Sequence, residues 1–225
     1  MKWNNISVWQ YQNIIKTLAN KQDDEIEKSF KLIGIVYNMT ENQVDSLTQA
    51  EYKAKLKECD FLNTMPEGKP VKIIKVNGKR YRFIYDVTKM PFGRYVESKA
   101  FVGDIYGNLH KLGATMVMPQ KRNWLGLWID DNYDASKHED YADDILQANF
   151  QDVYFSLVFF YQVYRNWIEV TRDYLVAKMI TTGQTKEQCN QVVANLCNIL
   201  DGIIQPNLLP TTKISELSKF ITERQ

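Results

Sequence analysis

Val71-Lys72-Ile73-Ile74-Lys75-Val76-Asn77-Gly78-Lys79-Arg80-Tyr81-Arg82-Phe83-Ile84-Tyr85 decides the fold class. Two runs rich in β-branched and aromatic residues flank Asn-Gly, the pair that best tolerates the two positive φ angles of a tight hairpin turn. A two-residue turn pairs Val76 with Lys79, Lys75 with Arg80, Ile74 with Tyr81 and Ile73 with Arg82. Side chains alternate across a strand, so Ile74, Val76, Tyr81 and Phe83 share an apolar face. Lys75, Arg80 and Arg82 share the opposite, basic face, which is expected to be wet. From Lys69 to Arg94 there are eight Lys/Arg and one acid, Asp86, so the strip is a candidate for phosphate contact. The aromatic residues point away from Arg80 and Arg82 in this register. Solvation of the strip, or docking onto the acidic stretch 130–144 of this or another copy, is the preferred reading.

Outward from the hairpin the chain reads as helices. Five Ser/Thr residues precede a Glu/Gln by three: Ser7/Gln10, Thr40/Gln43, Thr48/Glu51, Ser136/Glu139 and Thr185/Gln188. That spacing lets the hydroxyl accept from a free N–H of the first turn while the later side chain reaches back. Val8, Tyr11, Ile14, Ile15 and Leu18 form one apolar stripe; Ile26, Phe30, Ile33 and Val36 (or Tyr37) form a second. The helix after Thr48 directs Tyr52, Leu56 and Cys59 inward. Met90–Phe101 and Asp104–Met118 are expected to be helical, and 119–135 a loop carrying Trp124, Leu125, Leu127, Trp128 and Tyr133. Ser136 opens a helix to about Ala148, and Thr185 opens one to about Leu200.

The longest helix is expected from Phe150 to Ile180. It holds nine of the 28 aromatic residues, and between Val153 and Tyr161 only Ser156 is polar. A helix apolar nearly all round must be covered on most sides, so its main role is that of a central core helix. Trp167 and Tyr174, with Leu217 and Phe220 of a last amphipathic helix, are the candidate docking surface. The expected fold is α+β, predominantly α-helical, with an inserted two-stranded hairpin around Asn77-Gly78. It forms a single domain over 1–225, with N-terminal helices in 1–62, the hairpin at 71–85, a helical core over 90–201 and a tail helix over 206–225.

Composition narrows the function. The 225 residues are 44% hydrophobic, too apolar for a disordered chain, and 28 Lys/Arg against 27 Asp/Glu do not bind nucleic acid by bulk charge. Three cysteines, Cys59, Cys189 and Cys197, show no CxxC spacing and read as reduced core thiols of an intracellular protein. The opening Met1-Lys2-Trp3-Asn4-Asn5 has no signal-peptide core. The most apolar stretch, 153–164, spans about 18 Å as a helix against a bilayer core of roughly 30 Å. No membrane is therefore expected as a partner, and nucleic acid is not favoured.

No residue pattern names a reaction. Asp130, Asn132, Asp134 and Ser136 fall on alternate positions of a calcium-loop template, but Ala135 stands at the glycine position and Tyr141 at the bidentate glutamate. His110 and His138 lack a second ligand one turn away. GxxxxGK[ST], GxGxxG and GxSxG do not occur. The expectation is no catalytic residue, no metal, no cofactor and no enzymatic activity.

Several motifs together resemble a known family. Ile6-Ser7-Val8-Trp9-Gln10-Tyr11-Gln12 resembles the opening of small tailed-phage proteins, and Thr40-Glu41-Asn42-Gln43-Val44-Asp45-Ser46-Leu47 followed by Glu51 resembles their second helix. Asn77-Gly78-Lys79-Arg80-Tyr81, Tyr85-Asp86-Val87-Thr88-Lys89-Met90, Arg94-Tyr95-Val96-Glu97 and Asn108-Leu109-His110-Lys111-Leu112 are similar to a run that follows in such proteins. Across residues 6 to 160 the chain resembles tail-assembly-chaperone-like and related structural proteins of tailed bacteriophages, including crAss-like phages of gut Bacteroidota. The resemblance implies a non-enzymatic morphogenesis protein in the host cytoplasm that binds another phage structural protein and shields an aggregation-prone tail component. It carries over no functional residue. A structural virion component, such as a head–tail connector, tail ring or packaged cargo protein, is the alternative, and a nucleic-acid-binding phage factor is the second. A homo-oligomer stays open.

Overall fold

Helix starts are set by side chains that close on themselves. The Ser7 hydroxyl accepts from the Gln10 N–H at 3.1 Å while Gln10 Oε1 accepts from the Ser7 N–H at 2.9 Å, opening α1 (Val8–Ala19). Thr40/Gln43 and Thr48/Glu51 do the same for α3 (Glu41–Asp45) and α4 (Gln49–Glu58). Thr185 and Gln188 exchange both bonds as well. Asp24 and Glu27 open α2 (Glu25–Tyr37) with carboxylates, which also suit the positive end of the helix dipole. Ser136 departs from the expectation. Its hydroxyl donates to Asp134 at 2.6 Å, so it lies in a 3-10 turn, Ala135–Lys137, and α6 (His138–Gln147) begins after it. The computed structural model describes residues 1–64, 66–86 and 104–181, with residues 90, 94, 98, 101, 185, 187, 188 and 191 singly; of 105, 165, 167 and 168 it describes the backbone alone. The helices read in sequence over 90–101 and 185–200 fall mostly outside the described residues, and the tail helix wholly so.

The stripe of α1 is buried at Val8, Tyr11, Ile14 and Ile15. On α2 the buried residues are Leu32, Ile33 and Val36, whereas Ile26 is exposed; the stripe starts a turn later than its periodicity suggested. On α4 and the turn after it Cys59 is buried, with Tyr52 and Leu56 half-buried. Gln10 works at both ends. Its amide nitrogen donates to the Ile35 and Val36 carbonyls at 3.0 and 3.2 Å, so the residue that caps α1 also satisfies the C-terminal end of α2.

The hairpin of β1 (Ile73–Val76) and β2 (Lys79–Phe83) has the register read from the sequence, with Asn77 and Gly78 at φ +50° and +73°. Ile74, Val76, Tyr81 and Phe83 are buried. The sheet is larger than the expected pair. The helix expected over Asp104–Met118 is present as α5 (Ile105–Thr115), but its last residues and the segment read as a loop supply β3 (Val117–Arg122) and β4 (Trp128–Asp130), for an antiparallel order β1-β2-β3-β4. Pro119 pairs opposite Tyr81, and its carbonyl accepts from the Asp131 N–H at 2.8 Å, so a residue that cannot donate is used only as an acceptor. The turn between β3 and β4 closes around Asn123. Its side-chain oxygen accepts from the N–H groups of Leu125 and Leu127, its carbonyl accepts from Gly126, and Gly126 adopts φ +75°.

Helix α7 (Phe150–Thr181) extends about 48 Å at 1.5 Å per residue. Phe150, Val153, Tyr154, Ser156, Leu157, Phe160, Tyr161 and Tyr164 are buried, so its first half is the core helix anticipated. Tyr11 stacks on Phe150 with ring centres 3.8 Å apart, and Trp3 packs against both Phe150 and Phe61. Backbone bonds from Phe150 N to Ile6 O (2.8 Å) and from Val8 N to Ala148 O (2.9 Å) join the entries of α1 and α7. The Ser156 hydroxyl is bonded to both the N–H and the carbonyl of Val71, which fixes the approach to the hairpin.

Helices α5, α6 and α7 meet at Gly113. A Cβ there would lie 2.8 Å from Ile145 Cγ2 and 3.2 Å from Val153 Cγ1, both on buried β-branched side chains that cannot swing aside. Gly113→Ala is expected to destabilise the fold by about 1–2 kcal/mol, because overpacking outweighs the helix-propensity gain of up to about 1 kcal/mol. Urea unfolding measures it, and an unchanged or raised midpoint would contradict the close approach.

Sheet and helix layer are tied by Asp144 of α6. Its buried carboxylate accepts from Asn77 Nδ2 at 2.9 Å, Lys79 Nζ at 2.7 Å and Tyr81 Oη at 2.5 Å, taking all three donors from the turn and the start of β2. Burial alone would raise the carboxyl pKa, but the bonds from Lys79, Tyr81 and Asn77 outweigh it and hold the pKa below its ordinary value. The folded value being the lower one, this contribution to stability is complete above the unfolded value of about 4 and is lost as pH falls through the folded value. Asp144→Asn should lower stability by about 2–4 kcal/mol at neutral pH, since an amide cannot accept three donors. The gap from wild type should narrow in denaturant titrations taken progressively below about pH 4.

Candidate partner-binding surface

Lys75, Arg80 and Arg82 share one face of the sheet, as the alternation predicts. Their surroundings differ. Lys75 is exposed. Arg82 forks onto Asp130, with Nη2 to Oδ2 at 2.5 Å and Nε to Oδ1 at 2.9 Å. The Asp130 carboxyl is held below its ordinary range by that fork and by Gln120. Arg80 donates to Gln120 Oε1 at 2.8 Å and lies 5.2 Å from the centre of the Trp128 ring, with Arg122 at 5.0 Å from the same ring. The outer face is thus organised around an indole held by two guanidinium groups, an arrangement worth roughly 0.5–1 kcal/mol per contact at exposed sites. Trp128 comes from the segment read as a loop, which is why this grouping was not legible beforehand.

The acidic stretch after β4 is spent on structure. Asp131 pairs with Lys121 at 2.6 Å, and Asp134 accepts from the N–H and hydroxyl of Ser136. Among the described residues no three His, Cys, Asp or Glu side chains converge to hold a metal ion. The His138 ring is buried against Phe101, with centres 5.6 Å apart, and its Nδ1 lies 2.9 Å from the Tyr133 hydroxyl. His110 is half-buried, and burial followed by the charge on Lys111 lowers its pKa. Burial pushes the Cys59 thiol up to about 11, which leaves little thiolate at neutral pH. Cys189 and Cys197 lie outside the described residues.

Among the described residues, exposed apolar side chains gather in three places. Beyond Tyr164, α7 carries Val170, Tyr174 and Ile180 at 68%, 63% and 55% exposure, so Tyr174 stands on the surface proposed for docking. Leu217 and Phe220 fall outside the described residues, as does the side chain of Trp167. The tip of the β3–β4 hairpin presents Trp124, 90% exposed, followed by Leu125 and Leu127 at 59% and 60%. An open groove of about 450 Å³ runs between α1, α2 and α3, where Trp9, Phe30, Ile35, Met39 and Val44 supply its apolar walls. No described helix is long and apolar enough to cross a membrane.

Comparison with known protein families, with curated proteins and with solved structures found no match.

The two halves of α7 should respond differently to substitution. Tyr174→Asp is expected to change folding stability by less than about 0.5 kcal/mol, as at other exposed positions. Tyr161→Ala, inside the buried half, should cost about 3–5 kcal/mol. Thermal melts of the two variants side by side check this, and equal losses would refute the division.

Proposed function

We propose that this chain is a non-enzymatic bacteriophage morphogenesis protein that binds another phage protein in the manner of a tail-assembly chaperone. The observation carrying this reading is the exposure of the large side chains Val170, Tyr174 and Ile180, with Val170 and Tyr174 one turn apart on the same side, on a helix whose first half is cemented into the core. Large apolar side chains held out by a rigid element mark surfaces that meet a partner. The motif resemblance over residues 6–160 supplies the class of partner, a phage structural protein. The buried thiol of Cys59 and the packed rings of His138 and Phe101 support a structural use for these side chains.

The second reading is a structural component retained in the virion. It is favoured by the hairpin tip and the groove, two exposed apolar features of opposite shape on one molecule. Quantitative mass spectrometry of purified particles separates the two. A chaperone is missing from the mature particle, whereas a connector or ring component appears at fixed copy number. In infected cells, an affinity-tagged chain is expected to retain a stoichiometric phage protein that Tyr174→Asp reduces about tenfold. Undiminished retention by that variant would count against the α7 surface.

A further inference from the structure

We propose that the β3–β4 hairpin tip of one copy inserts into the groove between α1, α2 and α3 of a second copy. The chain would then assemble head to tail.

The tip is built as a knob. Trp124, Leu125 and Leu127 project from a five-residue turn in which four of the five backbone donors are already used: the N–H groups of Asn123, Leu125, Gly126 and Leu127 all donate within the turn. Burying such a turn leaves those four donors with their bonds, which lowers the polar cost of inserting a loop into an apolar site. Trp128 below the tip is braced by Arg80 and Arg122, which holds the strands at the base of the knob together.

The groove has the matching character. Trp9, Phe30, Ile35, Met39 and Val44 line it, and its volume of about 450 Å³ suits an indole with a neighbouring leucine. Charge at the two rims is complementary. Glu41, on the groove rim, makes no ion pair among the described residues, whereas the other rim charge, Lys31, is held by Asp23 at 2.7 Å. Arg122, at the base of the knob, likewise makes no ion pair among the described residues and lies over the Trp128 ring. Knob and groove sit on different layers of one chain, and Trp124 at 90% exposure shows that the chain's own groove does not receive it. A patch and a complementary pocket on separate surfaces give a heterologous contact, which closes into a ring or continues as a filament.

Sedimentation of the full chain at rising concentration should show species larger than the monomer. Trp124→Asp removes the knob and Trp9→Glu blocks the groove; each should weaken association at least about tenfold. Both positions are exposed, and circular dichroism melts confirm that the variants are folded. Mixing the two leaves one intact knob and one intact groove, so the mixture should form a one-to-one dimer and nothing larger. Arg122→Glu and Glu41→Arg provide a second pair: each alone weakens assembly, and both together in one chain restore it. A wild-type chain that stays monomeric overturns the proposal, as do variants that assemble like wild type or a mixture that stays monomeric. Trp124-dependent flotation of a monomeric chain with vesicles of phosphatidylglycerol and phosphatidylcholine would instead assign the tip to lipid.

Discussion

One buried carboxylate holds the two layers of this molecule in register. Asp144 collects its three donors from Asn77, Lys79 and Tyr81, so the turn, the first residue of β2 and a core phenol all answer to a single residue of α6. An isolated hairpin is marginal in water. Here it becomes the seed of a four-stranded sheet because its polar end is anchored to a helix while Ile74, Val76, Tyr81 and Phe83 bury their apolar face. Burial lifts the Tyr81 phenol pKa, reinforced by the neighbouring carboxylate, so it stays a neutral donor throughout the physiological range.

The second constraint joins the chain's beginning to its longest helix. The bridge between residues 6–8 and 148–150 sets the entry angles of α1 and α7 together, and the Tyr11–Phe150 stack fills the space between them. Gln10 extends the junction to α2 with the side chain that also completes the cap of its own helix. Local capping and long-range packing therefore rely on the same residues.

Much of this architecture is legible in the sequence, for local reasons. Asn-Gly dictates its turn, and alternation then fixes which side chains share a face, so the hairpin register follows from the residues alone. A Ser or Thr three residues before Glu or Gln marks helix starts, except where Ser136 finds a closer acceptor in Asp134. The rest depended on distant partners. Strand β3 contains Pro119, and β4 has three exposed residues, so neither carries the alternation of a half-buried strand. Asp144 is one of seven acids between residues 130 and 144, and nothing local separates it from the others. On the surface, the common face of Lys75, Arg80 and Arg82 was readable, but the Asp130 fork and the bracing of Trp128 required β4 to be placed.

Helix α7 has a mechanical consequence. Its first half is clasped by aromatic rings and, through Ser156, by the chain segment that leads into β1. Its second half runs on with large side chains facing water. A load applied near Tyr174 is therefore carried along a stiff rod to Val71 and the base of the hairpin, some 18 residues or about 27 Å away along the helix axis. The anchored end of that rod lies among the buried rings of Phe150, Tyr154 and Phe160.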